Sequence, residues 1–365
     1  MPFLKKIVIR DFRNIVLQEL EFSPNINCIS GGNGEGKTNL LDAIWYLSMT
    51  KSAFAATDRY NFRYGQDSLA IGGRYEMSSG VESRFSIEAD GKEKKIRRDD
   101  KLYDKISDHI GVLPIVMVSP SDTSLVSDSG EERRRFFNTV LSQMDRGYLS
   151  SMQQYNRLLL QRNRALKDGF AQDALLDTMD ERLSVLAAPV HGARKSFCER
   201  LSPIVSDYYA KISGGSEEVG LEYRSDLDRG DLRTILAASR EKDLYMKFTG
   251  AGLQRDDFLF TMNGHPIRRH GSQGQQKSFL VALKFAQYEL MKDSCGCAPV
   301  LLLDDLFDKL DMDRVSNLLS MVSGRDFGQI FLTDSNKVRI SGIVDSITKD
   351  RAYFEAVGGV FTRQE

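Results

Sequence analysis

The sequence predicts an α/β fold, a mixed sheet with flanking helices, interrupted by an inserted lobe made of helices. Three observations predict it. The first is Gly31-Gly32-Asn33-Gly34-Glu35-Gly36-Lys37-Thr38, which fits the phosphate-loop pattern of a glycine, four free positions and Gly-Lys-Thr. It lies between a short apolar stretch, Asn25 to Ser30, and a run in which Leu40, Leu41, Ile44, Tyr46 and Leu47 fall near helical spacing. The second is a change of apolar period at Glu131, from alternating to helical. The third is a late apolar strand, Val300 to Leu303, that ends in Asp304-Asp305.

In order, Leu4 to Phe12 reads as the first strand. Leu69 to Met77 and Glu82 to Ala89 alternate, with Asp90-Gly91 as a hairpin turn, and Val112 to Val118 closes at Ser119-Pro120. These features assign 1–120 to the N-terminal part of a head. Residues 121–250 are expected to be an inserted helical arm. Its first apolar stripe is Phe136, Phe137, Val140, Leu141 and Met144; a second helix carries Leu149 to Leu166. A third runs Leu175 to Leu186, and a fourth runs Val190 to Ile212 with a bend at Pro203. Glu222 to Arg224 reads as a returning strand and Asp228 to Phe248 as a helix. Residues 251–365 are expected to complete the head. There Phe258, Phe260 and Met262 alternate into Asn263-Gly264, and a helix follows Ser272-Gln273-Gly274-Gln275-Gln276. After Asp304 come the Asp308–Asp311 loop, a helix, the strand Gln329 to Leu332 and a closing αβ segment.

The phosphate loop carries the chemistry. Its glycines let backbone amides turn inward without Cβ clashes, and with the helix N-terminus those amides suit triphosphate oxygens. Gly31 to Gly36, Lys37, Thr38 and Asn39 form the expected nucleotide-binding set, with Lys37 on the β- and γ-phosphates and the Thr38 hydroxyl on Mg²⁺. A chain of this length should match the pattern by chance on the order of 0.01 times, so a fortuitous glycine turn is the weaker reading. The apolar run ending in an acid is the Walker-B pattern. Asp304 is the expected second holder of Mg²⁺, and Asp305 the residue placed to polarise an attacking water. Without the loop, two acids after a buried strand would read as a helix cap.

Composition narrows the partners. The 365 residues carry 50 Lys+Arg against 51 Asp+Glu, so a nucleic-acid site must be a local patch. The candidates are Lys5, Lys6, Arg10 and Arg13; Lys92 to Arg98; Arg157 to Lys167; and Arg268-Arg269. Each reads equally well as a solvated face. The four cysteines, Cys28, Cys198, Cys295 and Cys297, show no CxxC spacing, which fits reduced thiols and a cytoplasmic protein. No apolar run is long enough to span a membrane, and the N-terminus lacks a signal-type apolar core.

Ser272-Gln273-Gly274-Gln275-Gln276 resembles the signature motif of ABC-type ATPases, making Ser272, Gly274 and Gln275 candidates for capping a γ-phosphate; alone, it would read as a Ser-capped helix start. Within one head the loop and the signature cannot easily close on one nucleotide, whereas two heads related by a two-fold axis can. The chain as a whole resembles the RecF family of bacterial recombination-repair ATPases, relatives of SMC proteins. The resemblance is carried by Asp11-Phe12-Arg13-Asn14, GGNGEGKTNLLDAIWYLS and Ser119-Pro120…Asp122 in the first third. Arg133-Arg134-Arg135-Phe136 and Tyr155…Gln161-Arg162-Asn163 carry it in the middle, then Arg255-Asp256-Asp257, SQGQQKS and LLLDDLFDKLD. It implies an ABC-type ATPase head with an inserted arm and an ATP-dependent homodimer on double- and single-stranded DNA at ends or gaps. It also implies slow hydrolysis, and partnership with RecR and indirectly RecO in delivering RecA, within replication, repair and the SOS response.

The chain departs from that pattern in four places. Lys51 to Ala56 replaces a Ser/Arg-rich stretch, and Gly252-Leu253-Gln254 replaces a Gly-Pro-His type lead. Thr333-Asp334-Ser335 stands where a switch histidine would, and no Q-loop glutamine stands near Ser119 to Asp122. Two other classes share the phosphate loop. The cytosolic ATPase subunit of a membrane transporter would want the missing glutamine and histidine, and a P-loop kinase would leave SQGQQKS without a role.

Overall fold

The structure is a computed structural model and describes residues 2–169, 172–215, 217–305, 327–336, 342, 344–345 and 348–364. The chain divides into two compact units, Met1–Asp122 with Lys284–Glu365, and Thr123–Leu283.

The first unit opens with β1 (Phe3–Phe12), β2 (Ile15–Glu21), β3 (Ile26–Ser30) and α1 (Lys37–Met49). It continues through β4 (Ser68–Glu76), β5 (Glu82–Asp90), β6 (Lys94–Arg98), β7 (Lys101–Leu102) and β8 (Ile115–Val118). The second unit contains α2 (Ser124–Ser127), α3 (Gly130–Met144), α4 (Arg146–Asp168), α5 (Asp173–Ser213), β9 (Val219–Arg224) and α6 (Leu232–Met246). It goes on with β10 (Asp257–Met262), β11 (His265–Pro266) and α7 (Ile267–His270), then α8 (Gln273–Cys295), within which the division falls. The first unit resumes with β12 (Val300–Leu303), β13 (Ile330–Asp334), β14 (Arg351–Val357) and β15 (Val360–Gln364).

Two six-stranded sheets build the first unit. One has the order β2-β1-β4-β5-β6-β7 and is antiparallel. The other has the order β15-β14-β3-β13-β12-β8 and is parallel except for the β14–β15 hairpin. Helix α1 packs against β1, β4 and β5 of one sheet and against β8 and β13 of the other. Leu40, Leu41, Ala43, Ile44, Tyr46 and Leu47 are fully buried, which explains why its apolar residues do not keep to one stripe. Strands β3, β8, β12 and β13 are buried along their whole length, as expected of parallel strands covered on both faces.

The second unit holds the helical block, but two expectations about it need correction. The third and fourth helices are one helix, α5, of 41 residues with Pro189 and Pro203 inside it. Its buried positions Leu183, Ala187, Val190, Arg194, Phe197, Leu201 and Val205 keep one continuous face across both prolines. That burial outweighs a local proline cost of about 3 kcal/mol. The chain also leaves the block at Leu283, not at 250. The reason is pairing: β10 runs antiparallel to β9 from Asp257↔Arg224 to Met262↔Val219, and Phe258 stacks on Phe137 of α3 at 3.5 Å. Residues 251–283, including Ser272, Gly274 and Gln275, therefore go with the helices.

Buried ion pairs tie this unit together. Arg162 is completely buried and donates to Asp180 (2.7 Å), Asp243 (2.8 Å) and the Thr249 hydroxyl (2.8 Å). Arg194 donates to Asp256, to Asn138 (2.9 Å) and to the Leu253 carbonyl (3.1 Å). Arg133 forks onto both carboxylate oxygens of Asp257, at 2.8 and 3.0 Å. Gln254 accepts from the Tyr155 hydroxyl at 2.7 Å. Removing one partner of such a pair strands a charge in the interior. Asp180→Ala should lower unfolding stability by about 3–5 kcal/mol in urea titrations. Arg164→Ala, which breaks an exposed pair with Asp168, should cost roughly 0–1 kcal/mol.

Candidate nucleotide site

The order of the parallel sheet puts the loop after β3 beside the end of β12, with only β13 between them. Gly31, Gly34 and Gly36 adopt φ of 154°, 85° and 102°, a region that favours glycine. Two of them are also closely overlaid. A Cβ on Gly31 would lie 2.5 Å from the Ala356 carbonyl of β14, and one on Gly36 would lie 2.7 Å from the Asn14 side chain. Above Gly34 there is open space, as a phosphate cradle needs. Lys37, first residue of α1 and buried, donates from Nζ to the carbonyls of Gly31 (2.8 Å) and Gly32 (2.9 Å), so its charge is held inside the loop.

Next to it, Thr38 Oγ1 donates to the Asp304 carboxylate, 3.0 and 2.9 Å from its two oxygens. The Thr333 hydroxyl, from β13, donates to the same carboxylate at 2.7 Å. Burial pushes the Asp304 pKa up, against the pull of the Thr333 and Thr38 hydroxyls. A hydroxyl and a carboxylate at the mouth of a phosphate loop make an all-oxygen donor set, the chemistry a hard divalent cation takes. Asp305 follows in the left-handed region (φ 43°), its amide donating to Thr333 Oγ1 at 3.0 Å. Thr333, noted in the sequence only for not being histidine, is thus the residue that fixes both aspartates.

Asn33 and Gly32 are exposed at the loop crest. Glu35 is anchored to the turn between β14 and β15: its carboxylate accepts from the Gly358 amide and its carbonyl from Gly359 (2.9 Å). Asn39 donates to Asn14 (2.8 Å) and accepts from Arg13 (2.9 Å). Arg13 pairs with buried Asp42 at 2.6 Å and also donates to Ser52 at 3.0 Å. Burial raises the Asp42 pKa, while Arg13, Ser52 and the Ala53 amide oppose that rise. Periodicity could not reveal these contacts, which join a turn, a loop and a hairpin far apart in sequence.

Ser272 and Gln275 cap the start of α8 reciprocally: the Ser272 amide donates to Gln275 Oε1 at 2.7 Å, and the Gln275 amide to Ser272 Oγ at 3.3 Å. Gln275 Nε2 also donates to Glu217 at 2.7 Å, and Gly274 lies in the first turn. These residues belong to the second unit and Lys37 to the first. The Asp308–Asp311 loop and the helix expected after it lie outside the described residues.

Two of the basic candidates are internal rather than exposed. Arg13 serves the network beside the loop, and Arg162 is buried among carboxylates. Lys5 and Lys6 pair with glutamates, Lys94 with Asp58 and Arg97 with Glu88. Among the described residues, no helix is long and apolar enough to cross a membrane, and no group of three His, Cys, Asp or Glu could hold a metal ion.

The model of the AAA domain family matches residues 6–187. A protein of Parabacteroides distasonis named DNA replication and repair protein RecF is 42% identical over 356 residues, covering 98% of each chain. The chain belongs to the RecF family. A relative of the same name from Bacteroides thetaiotaomicron is 40% identical over 98% of this chain and 97% of its own. A solved structure described as the recombination mediator protein RecF-ATP in the RecFOR pathway superposes with a TM-score of 0.90 at 27% identity. It covers all of this chain and 98% of that one. An Smc head domain from Pyrococcus furiosus superposes with a TM-score of 0.57 at 14% identity over 100% of this chain and 96% of that one, a likeness of fold alone. The RecF-type fold is thus an ABC-type ATPase head fold with inserted helices.

The Glu35 anchor predicts a graded effect. Glu35→Ala removes the acceptor of the Gly358 amide and should weaken ATP binding about fivefold, near the 1 kcal/mol worth of one hydrogen bond. Glu35→Gln keeps an acceptor and should stay within about twofold of the parent in fluorescent-ATP titrations.

Proposed function

We propose that this chain is an ATP-gated DNA clamp of recombinational repair, in which slow hydrolysis times release. The observation that carries the reading is the meeting of the phosphate loop with the Walker-B strand, Thr38 on Asp304, in a chain of the RecF family. The first unit is the ATPase head, and the second is the arm that brings Ser272 and Gly274. ATP is held by the amides of Gly31 to Gly36, with Lys37 on the β- and γ-phosphates and Asn39 at the loop's end. Thr38 and Asp304 hold Mg²⁺, which when bound neutralises charge on the phosphates. Asp305 orients and polarises the attacking water. Ser272 and Gln275 close on the ATP of a second copy, making the nucleotide the bond of a homodimer. DNA is held through phosphates at gaps or ends, without base reading. Loading of RecA follows with RecR, and indirectly RecO, in the cytoplasm. Transporter coupling has no support in this chain, since its relatives are named for DNA replication and repair.

Lys37→Ala removes the cation of the cradle, so ATP binding and ATP-dependent duplex binding should fall together. Asp305→Asn leaves the cradle whole, so ATP should bind, hydrolysis should drop by about a hundredfold or more, and the DNA complex should live longer. Equilibrium binding to a labelled duplex with and without ATP, alongside phosphate release, separates these cases. Full ATP-dependent duplex binding by folded Lys37→Ala, or parental hydrolysis by Asp305→Asn, would exclude the scheme.

A further inference from the structure

Thr333 stands where the chain lacks a switch histidine, and the sheet gives it a different task. Strand β13 lies between β3, which leads into the phosphate loop, and β12, which ends at Asp304. Leu332 pairs with Leu303 and Thr333 with Ile29, so Thr333 lies level with Asp304 at the shared end of the three strands. Its side chain is fully buried. Asp334, next in the strand and so on its other face, accepts from the Asn336 amide at 2.8 Å.

One hydroxyl there serves two neighbours at once. Thr333 Oγ1 accepts from the Asp305 amide at 3.0 Å and donates to Asp304 Oδ1 at 2.7 Å. Both directions are forced, since an amide can only donate and a carboxylate oxygen only accept. The Asp304 amide is fixed separately, on the Val118 carbonyl of β8 at 2.8 Å. Main chain and Oδ1 of Asp304 are thereby held, and Oδ2 lies 2.9 Å from Thr38 Oγ1. The other bond acts on the backbone. It holds the Asp305 amide where φ is 43°, a left-handed conformation that a residue with a Cβ seldom adopts.

We infer that Thr333 is a positioning residue for ATP hydrolysis, acting through both aspartates. By tethering Oδ1 it holds the Asp304 carboxylate against Thr38 in the orientation that takes Mg²⁺. By tethering the Asp305 amide it sets where that carboxylate stands toward the attacking water. A hydroxyl can do both because it donates and accepts, whereas a single neutral imidazole nitrogen does only one. The phosphate cradle does not depend on it, because Lys37 is held by the Gly31 and Gly32 carbonyls. The inference rests on the roles proposed above for Asp304 and Asp305 and adds the residue that keeps them in place.

The test compares Thr333→Val, which keeps the shape and loses both hydrogen bonds, with Thr333→Ser, which keeps the hydroxyl. Fluorescent-ATP titrations of the full-length chain are run without divalent ions and across a Mg²⁺ series, beside phosphate release. Thr333→Val should bind ATP within about twofold of the parent when Mg²⁺ is absent, since the cradle is untouched. It should need about tenfold more Mg²⁺ for half-saturation and lose kcat by about tenfold or more, with KM for ATP at saturating Mg²⁺ within about twofold. Thr333→Ser should stay within about twofold of the parent throughout. A residue that only supported the fold would shift melting temperature and Mg²⁺-free ATP affinity together, with no change specific to Mg²⁺. Thr333→Ala lacks the hydroxyl without crowding the site, carries the same expectation, and decides the matter if the valine protein does not fold. A parental Mg²⁺ requirement and kcat without the hydroxyl, or an equal loss in Thr333→Ser, would overturn the inference. Asp304→Asn separates it from the reading on which it rests. A raised Mg²⁺ requirement in Asp304→Asn beside a parental one in Thr333→Val strikes only the role of Thr333. A parental requirement in Asp304→Asn strikes the metal assignment itself, and the inference with it.

Discussion

The hydrogen bonds between the Thr38 hydroxyl and the Asp304 carboxylate depend on a sheet, and the site depends on them. They form because β3 pairs in parallel with β13, and β13 with β12, bringing residues 38 and 304 to one end of three buried strands. A one-residue slip in that pairing would turn the side chains at the strand ends to the other face. Gly31 reinforces the register, since its missing Cβ admits the Ala356 carbonyl of β14. Thr333 locks the arrangement by donating to Asp304 and accepting from the Asp305 amide. Pairing, tight overlay and hydroxyl bonds make the mouth of the loop a set of oxygen donors before any ligand arrives.

Much of this was legible because it is local. The strand, glycine turn and helix around Lys37 follow from residue types a few positions apart, as does the apolar strand ending in Asp304. The α5 helix reads as two because its apolar residues group into separate stripes, Leu175 to Leu186 and Val190 to Ile212, while the buried face running through Pro189 and Pro203 is a property of the packed helix. The late boundary was missed for a similar reason. Nothing in residues 251–283 announces that β10 will pair with β9 or that Asp256 and Asp257 will be held by Arg194 and Arg133. Charge clusters misled most. Arg13 and Arg162 look like surface cations in one dimension, and both serve buried carboxylates.

The pairs inside the helical unit also give its resemblance segments a physical role. Arg133, Tyr155, Arg162, Asp256 and Asp257 lie far apart in the chain, yet each is bound within the same unit by charge-assisted or hydroxyl hydrogen bonds. Gln254, which departs from the pattern the resemblance leads one to expect, takes the Tyr155 hydroxyl and keeps that group satisfied. They hold together the unit in which α8 begins. The chemistry then rests on a short set of loop and strand-end groups, and Ser272 is the link by which a second copy would enter.

The central claim is that Ser272 completes the nucleotide site of another chain. Sedimentation of the Ser272→Arg protein with and without saturating ATP tests it most directly, with ATP affinity measured on the same sample. The account predicts a folded monomer that binds ATP with near-parental affinity yet stays a monomer in its presence, while the parent chain becomes a dimer. ATP-dependent dimers of Ser272→Arg at the parental concentration range would contradict it.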